Sequence, residues 1–259
     1  MIKQPVSEQQ LEALTISNGS ILPILSYNEI DLITSTEQMQ RLQTKAIRYF
    51  GSLGLVQVTK DKTIIDANLL ALLECSKANE KFFVFEHFKQ QDLVKQLCFY
   101  PSEYFVGVEK KVDELAIFHA EELEYIISSM LEGNRQLKVF PKEVEVIITK
   151  NLYLQWMSAI NAKDSEKARE ILKELNVDEL SAEKIVRIFM TKENFMTLSM
   201  YKKDSLQAKI LVMITDYPVV IQFNEQPEIS LQITSVTYEE LSSYAKDFIV
   251  YAMNELEGE

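Results

Sequence analysis

Enzymes most often move protons near neutral pH with histidine, and this chain has two, His87 and His119. His87 shares strand parity with Phe83 and Phe85, the setting of a core or edge histidine whose ring is hydrogen-bonded. His119 stands at a strand-to-helix junction, where local capping is the expected use. Neither has a partner at zinc spacing, and Cys75 and Cys98 do not form a C-x-x-C pair. Two cysteines are too few for a disulfide framework and read as reduced thiols. There is no nucleophile elbow, no Walker lysine and no G-x-G-x-x-G. Gly51-Ser52-Leu53-Gly54 is a lone G-x-x-G without the basic surround of a nucleic-acid clamp, and reads as a helix stop. Asp61 and Asp66 lack the alternating oxygens and central glycine of a calcium loop. Acid–base pairing among 39 carboxylates is chemically open, but a solvated acidic surface accounts for them. The reading is a binding protein, not an enzyme, with no catalytic residue, no metal and no cofactor.

Composition points the same way. The chain has 259 residues, 47% of them hydrophobic, which is ample for a core and excludes a disordered chain. Lys and Arg number 27 against 39 Asp and Glu, a net charge of −12, which opposes binding to nucleic-acid phosphates or an anionic membrane. Six glycines, where average usage gives about 18, leave little material for phosphate-cradling loops. Residues 1–10 carry no apolar signal region, and no run of about 18 apolar residues occurs. A cytoplasmic location is expected. The sequence leaves the oligomeric state open.

The elements that must carry any surface follow from periodicity. Ser7, with Gln10 three residues on, reads as a capping box opening a short helix through Leu11. Thr36 opens a second, with Met39, Leu42, Ala46, Tyr49 and Leu53 at helical steps and Gly51 and Gly54 ending it. Asp66 caps a third, with Leu69, Leu70, Leu72 and Leu73 as its apolar face. The period then changes. Residues 81–88, 93–100, 104–109 and 114–118 are strands separated by short gaps, hence antiparallel neighbours in a meander. A helix over 121–131 follows, and Gly133 closes it. In the second half, residues 141–162 read as one long helix despite the β-branched cluster Val144 to Thr149. Ser165 to Leu175 is a helix, and Ser181 caps another carrying Ile185, Ile188 and Phe189. Strands over 194–201, 206–215, 219–223 and 229–233 lead to a last helix over 238–256, apolar at Leu241, Tyr244, Ala245, Phe248 and Tyr251.

Both halves thus run helix, helix, four-strand meander, helix. Glu121-Glu122-Leu123 and Glu239-Glu240-Leu241 stand 118 positions apart, and at that offset Ile126, Ile127, Met130 and Leu131 meet Tyr244, Ala245, Phe248 and Ile249. The expectation is an internally duplicated α+β body with pseudo-symmetric halves, residues 1–133 and 134–259.

Several motifs resemble the EspG family, cytosolic chaperones of type VII (ESX) secretion. Val6-Ser7 with Leu11 and Leu14, followed by Ile21-Leu22-Pro23-Ile24-Leu25, resembles its N-terminal helix and L-P-x-x-L element. Gly54-Leu55-Val56, then Ile65-Asp66 with Leu69, Leu72 and Leu73, resembles the passage before its first meander. Ala168, Ile171 and Leu172, then Leu175-Asn176-Val177 and Ala182, are similar to its leucine-rich helix, turn and short helix. Residues 206–249 fit its closing strands and helix. Asn176 stands where the family has glycine, and Asp216-Tyr217-Pro218 replaces a longer turn; a remote member from a low-GC Gram-positive bacterium would carry such departures. The resemblance implies a quasi-two-fold α+β fold and a non-catalytic chaperone. Its partner would be a helical secreted protein, of WXG100-like, LXG-type or PE/PPE-like kind, held by its apolar tip before export.

A chaperone of this kind needs an apolar surface with a polar rim. The expected surface is Phe189, Met190, Phe195, Met196, Tyr217 and Pro218, because methionine adapts to varied partners and Met190, Met196, Met200 and Met213 gather in this region. A second class fits the same composition: an acidic cytosolic immunity protein blocking a basic toxin.

Overall fold

The computed structural model describes the chain except residues 1, 8–10, 12, 16–34, 80, 91, 102–103, 133–144, 192–193, 203–204, 215–217, 224–229, 236 and 255–259. Gln10, the Ile21 to Leu25 element and Tyr217 therefore lie outside the described residues.

Strands form where aromatic and β-branched residues are dense. The first half contributes β1 (Ile2–Pro5), α1 (Thr36–Ser52), the hairpin β2 (Val56–Val58) and β3 (Thr63–Ile65), and α2 (Ala67–Ala78). The meander β4 (Lys81–Lys89), β5 (Asp92–Tyr100), β6 (Phe105–Lys111) and β7 (Glu114–Ala120) follows, then α3 (Leu123–Met130). The second half contributes β8 (Glu145–Thr149), α4 (Lys150–Asn161), α5 (Ser165–Glu174) and α6 (Glu179–Thr191). Its meander is β9 (Asn194–Lys202), β10 (Ser205–Ile214), β11 (Pro218–Phe223) and β12 (Ser230–Ser235), closed by α7 (Tyr238–Asn254). This is an α+β fold with two four-strand antiparallel meanders.

One expected helix is a strand and a helix. Residues 145–149 pair antiparallel with β12, Val146 opposite Ile233 and Ile148 opposite Leu231. Val146 and Ile148 are buried while Ile147 is 64% exposed, the period-2 alternation of β structure. Thr149 then ends the strand and opens α4, its Oγ1 accepting from the Leu152 N–H at 3.4 Å. Continuous helix across 141–162 is thus overturned by cross-strand pairing, which favours the β-branched run.

Two compact units arise from the chain, and neither is one continuous segment. The first comprises Met1–Val84, Lys95–Ile126 and Tyr201–Ser205; the second comprises Phe85–Val94, Ile127–Met200 and Leu206–Glu259. In the first, the strand order is β1-β7-β6-β5-β4. One face of that sheet (Phe82, Val84, Cys98, Tyr100, Val106, Val108, Leu115, Ile117) packs against Leu11, Leu14, Ala46, Phe50, Leu69, Leu72 and Leu73. Each such side chain contributes about 1.5–3 kcal/mol by leaving water. The opposite face is aromatic: Phe83 stacks on Phe99 at 5.2 Å, and Phe99 meets Phe105 edge-on at 6.3 Å. In the second unit, the order is β9-β10-β11-β12-β8. Its core joins Val146 and Ile148 to Trp156, Ile160, Ile171, Leu172, Ile185 and Phe189 from α4, α5 and α6.

The two meanders share one topology, each flanked at its last strand by an extra strand from upstream. Their strands also keep register in sequence. Lys81 and Asn194, Asp92 and Ser205, and Phe105 and Pro218 open corresponding strands, and each pair is 113 positions apart. That offset is constant through three strands and two connections.

Helix ends follow local chemistry. The Asp66 carboxylate accepts from the N–H groups of Asn68 (2.8 Å) and Leu69 (3.4 Å). In α2, Leu70 is 38% exposed and Ser76 takes the inward position instead. In α1, Phe50 is fully buried and Leu53 is 39% exposed, because the helix passes through Gly51 and stops at Gly54 (φ +75°). The cap of α6 is Asp178, whose Oδ1 accepts from the Ser181 N–H at 3.1 Å; Ser181, buried in the first turn, donates its hydroxyl to the same carboxylate. Thr237 and Glu240 form a reciprocal capping box on α7 (2.6 and 3.2 Å). Ile249 and Ala252 join Leu241 and Ala245 on its buried face, and Tyr251 is 66% exposed.

Helices α1, α4 and α5 end in the same double hydrogen-bond pattern, with Gly54, Lys163 and Asn176 in the left-handed conformation. At the α5 end, Val177 N–H donates to Leu172 O (3.1 Å) and Asn176 N–H to Lys173 O (2.9 Å). The missing glycine at position 176 is thus replaced by the residue that best tolerates positive φ. Lys163 (φ 58°) has no such tolerance. Lys163→Gly is expected to raise stability by about 0.5 kcal/mol, the relieved strain being partly offset by added unfolded-state freedom. Asn176→Gly is expected to be near neutral. Urea unfolding midpoints check both, and an unchanged midpoint for Lys163→Gly would contradict this account.

Candidate partner-binding surface

The expected surface residues separate by period. Phe189 is 1% exposed because it lies with Ile185 and Ile188 on the inward stripe of α6. Its ring meets the Trp156 indole edge-on at 4.6 Å. Met196 is 2% exposed, on the opposite side of β9 from Phe195. These two therefore lie beneath a surface and not on it. Met190 and Phe195 are partly buried and pack against the same core. Pro218 opens β11, opposite Ile214 of β10. Tyr217 precedes it, outside the described residues.

Beside Phe195 stands a residue that sequence reasoning did not single out. Phe88 of β4, also partly buried, stacks on Phe195 with centroids 4.7 Å apart and planes 13° from parallel. Two residues along the same side of β4, the Glu86 carboxylate accepts from the Thr197 hydroxyl at 3.2 Å. On the other side, an imidazole nitrogen of His87, a buried residue, lies 2.6 Å from the Asn194 Oδ1. The strands that carry the two rings are thus cross-linked by side-chain hydrogen bonds on both faces. Phe88, Phe195 and Met190 thus supply part-exposed apolar area, and Glu86 and exposed Lys89 supply polar neighbours. Only the strand parity of residue 88 could have signalled this from sequence, and Phe88 shares that parity with core residues Phe82 and Val84.

The arrangement offers packing and hydrogen bonding, and His87 is engaged as a structural group. His119 is in strand β7 and not at a helix cap, its ring edge-on to Tyr104 at 4.9 Å. Among the described residues, no three of His, Cys, Asp and Glu gather as metal ligands. Among the same residues, no helix is long and apolar enough to cross a membrane. The Tyr153 phenol, half-buried beside Trp156, has its pKa raised by burial.

No family model and no curated protein matches this sequence. The structure does have a match. It superposes on the Mycobacterium tuberculosis type VII secretion system chaperone EspG5, solved in complex with the PE25-PPE41 dimer, with a TM-score of 0.65. The match covers 93% of this chain and 94% of that chain, at 8% identity. The fold is EspG-like. An expectation drawn from scattered motifs therefore holds for the architecture, with two topologically equivalent meanders.

Proposed function

We propose that this chain is a non-catalytic cytoplasmic chaperone that holds a helical type VII secretion substrate through an apolar surface before export. The supporting observation is the end-to-end likeness to EspG5, which leaves almost no part of either chain unmatched. In this reading residues 1–133 and 134–259 are the two copies of a duplicated unit, and the second copy carries most of the surface. Met190 and Phe195 belong to that surface, Phe88 extends it from the first copy, and Phe189 and Met196 support it from below. Tyr217 and Pro218 are proposed members of the same surface. The partner is a helical secreted protein of WXG100-like, LXG-type or PE/PPE-like kind.

The physical logic is coverage. A helical tip with exposed apolar side chains aggregates unless the patch is occupied, and stacked rings with a methionine offer a surface that adapts. Co-expression with a candidate helical secretion substrate, followed by co-purification, tests the reading. Phe195→Asp is expected to reduce recovery of that substrate at least tenfold while the chaperone, though lowered in melting temperature, stays folded by circular dichroism. Full retention by both Phe195→Asp and Phe88→Asp would reject the surface. Rescue of cells from a toxin, with no gain in solubility of a helical protein, would favour immunity over chaperoning.

A further inference from the structure

Tryptophan occurs once in this chain, at position 156 in α4. Trp156 is 0% exposed, and its indole Nε1–H has no hydrogen-bond acceptor among the described residues. A buried donor without an acceptor costs free energy, and native proteins hold few of them. The core around it is apolar, with Ile148, Ile160, Leu172, Ile185 and Phe189. Two rings lie close. The Tyr153 centroid is 6.2 Å away with planes at 49°, and the Phe189 centroid, from α6, is 4.6 Å away with planes at 63°. The shorter contact is edge to face, in which the electropositive edge of one ring meets the electron-rich face of another. The N–H is the most electropositive point of an indole edge, and an aromatic face accepts it as a weak hydrogen bond.

The place of Phe189 gives this contact a consequence. Phe189 lies in the last turn of α6, which ends at Thr191, and Met190 follows it in the chain. Met190 and Phe195, both partly buried, pack on the core to which Trp156 and Phe189 belong. Hydrophobic contact alone is non-directional and fixes no angle, whereas a donor aimed at a ring face does. Resting on the chaperone reading, we propose that Phe189 is a positioning residue of the partner surface: its ring face accepts the Trp156 N–H, which fixes the last turn of α6 against α4 and so sets where Met190 stands. The buried ring then acts on the partner without touching it.

The single tryptophan makes the test specific to one site. In isotope-labelled full-length protein it gives one indole Hε1 resonance, expected upfield of the exposed-indole range because the proton lies over a ring. Phe189→Leu is expected to return it downfield. A tryptophan-auxotrophic host supplied with benzothienylalanine replaces the N–H by sulfur at position 156 alone and keeps the shape of the side chain. The binding probe is a fluorophore-labelled, disulfide-closed synthetic helical hairpin with Leu and Phe at its tip, followed by anisotropy. Benzothienylalanine and Phe189→Leu are each expected to weaken hairpin binding about threefold in protein that is folded by circular dichroism, and the two together no more than either alone. An Hε1 resonance within the exposed range, or one that Phe189→Leu does not move, would overturn the inference and leave the chaperone reading standing. Unchanged hairpin affinity in both variants, or strictly additive losses, would do the same. A wild type that does not bind the hairpin would overturn the chaperone reading and the positioning role with it, wherever the resonance lies.

Discussion

Gly107→Val is expected to lower stability by about 3 kcal/mol or more, with most of the protein recovered as aggregate. Gly107 sits in β6 between Phe99 of β5 and Phe118 of β7. A Cβ there would lie 2.8 Å from the Phe118 ring and 2.8 Å from the Phe99 Cα, and would collide with the Cys98 carbonyl oxygen. A flexible ring can move aside, but a strand backbone cannot without breaking its ladder. Gly107→Ala is therefore expected to remain strongly destabilised even when combined with Phe118→Leu. Urea unfolding of the three variants checks this, and recovery of near-native stability by the double variant would show that the obstacle is the ring alone. Across the 113-residue offset, Phe99 and Gly107 correspond to Val212 and Val220, which are register partners in β10 and β11.

The second large effect concerns a buried ion pair. Lys95 Nζ lies 3.0 Å from Glu109 Oε1, with the two side chains 8% and 3% exposed, and Lys111 Nζ lies 3.9 Å from the same oxygen. Removing one partner leaves a charge inside the sheet, so Lys95→Ala and Glu109→Gln are each expected to cost about 3 kcal/mol. The double variant is expected to cost about 2 kcal/mol less than the two singles added together. The corresponding positions of the second meander hold Ala208 and Gln222, a neutral combination. A double-mutant cycle by urea unfolding decides the matter; strict additivity would show that the pair does not act as a unit.

Much of the architecture was legible because local rules and tertiary packing agree. The strands of both meanders, the Asp66 cap and the Gly54 stop were readable from parity, capping chemistry and glycine placement. Two of the misreadings arose where local signals conflicted. Residues 145–149 lack a breaker before α4, so their length suggested helix, but pairing with β12 decides for strand. Ser181 looked like a cap because its type fits one, but Asp178 holds that position.

The candidate surface was less legible, for a physical reason. Period-2 parity says which residues share a side of a strand, and it does not say which side stays partly open. Phe189 and Met196 have the composition of an adaptable surface, yet packing against α4 and the reverse side of β9 places them inside. Phe88 has the parity of a core residue, yet its partner Phe195 lies 107 positions away and leaves both rings part-exposed. The sequence by itself determined an acidic α+β chain with two four-strand meanders, because composition and periodicity are local properties. Which rings meet and which of them stay partly exposed are consequences of long-range strand pairing, and only the tertiary structure decided them.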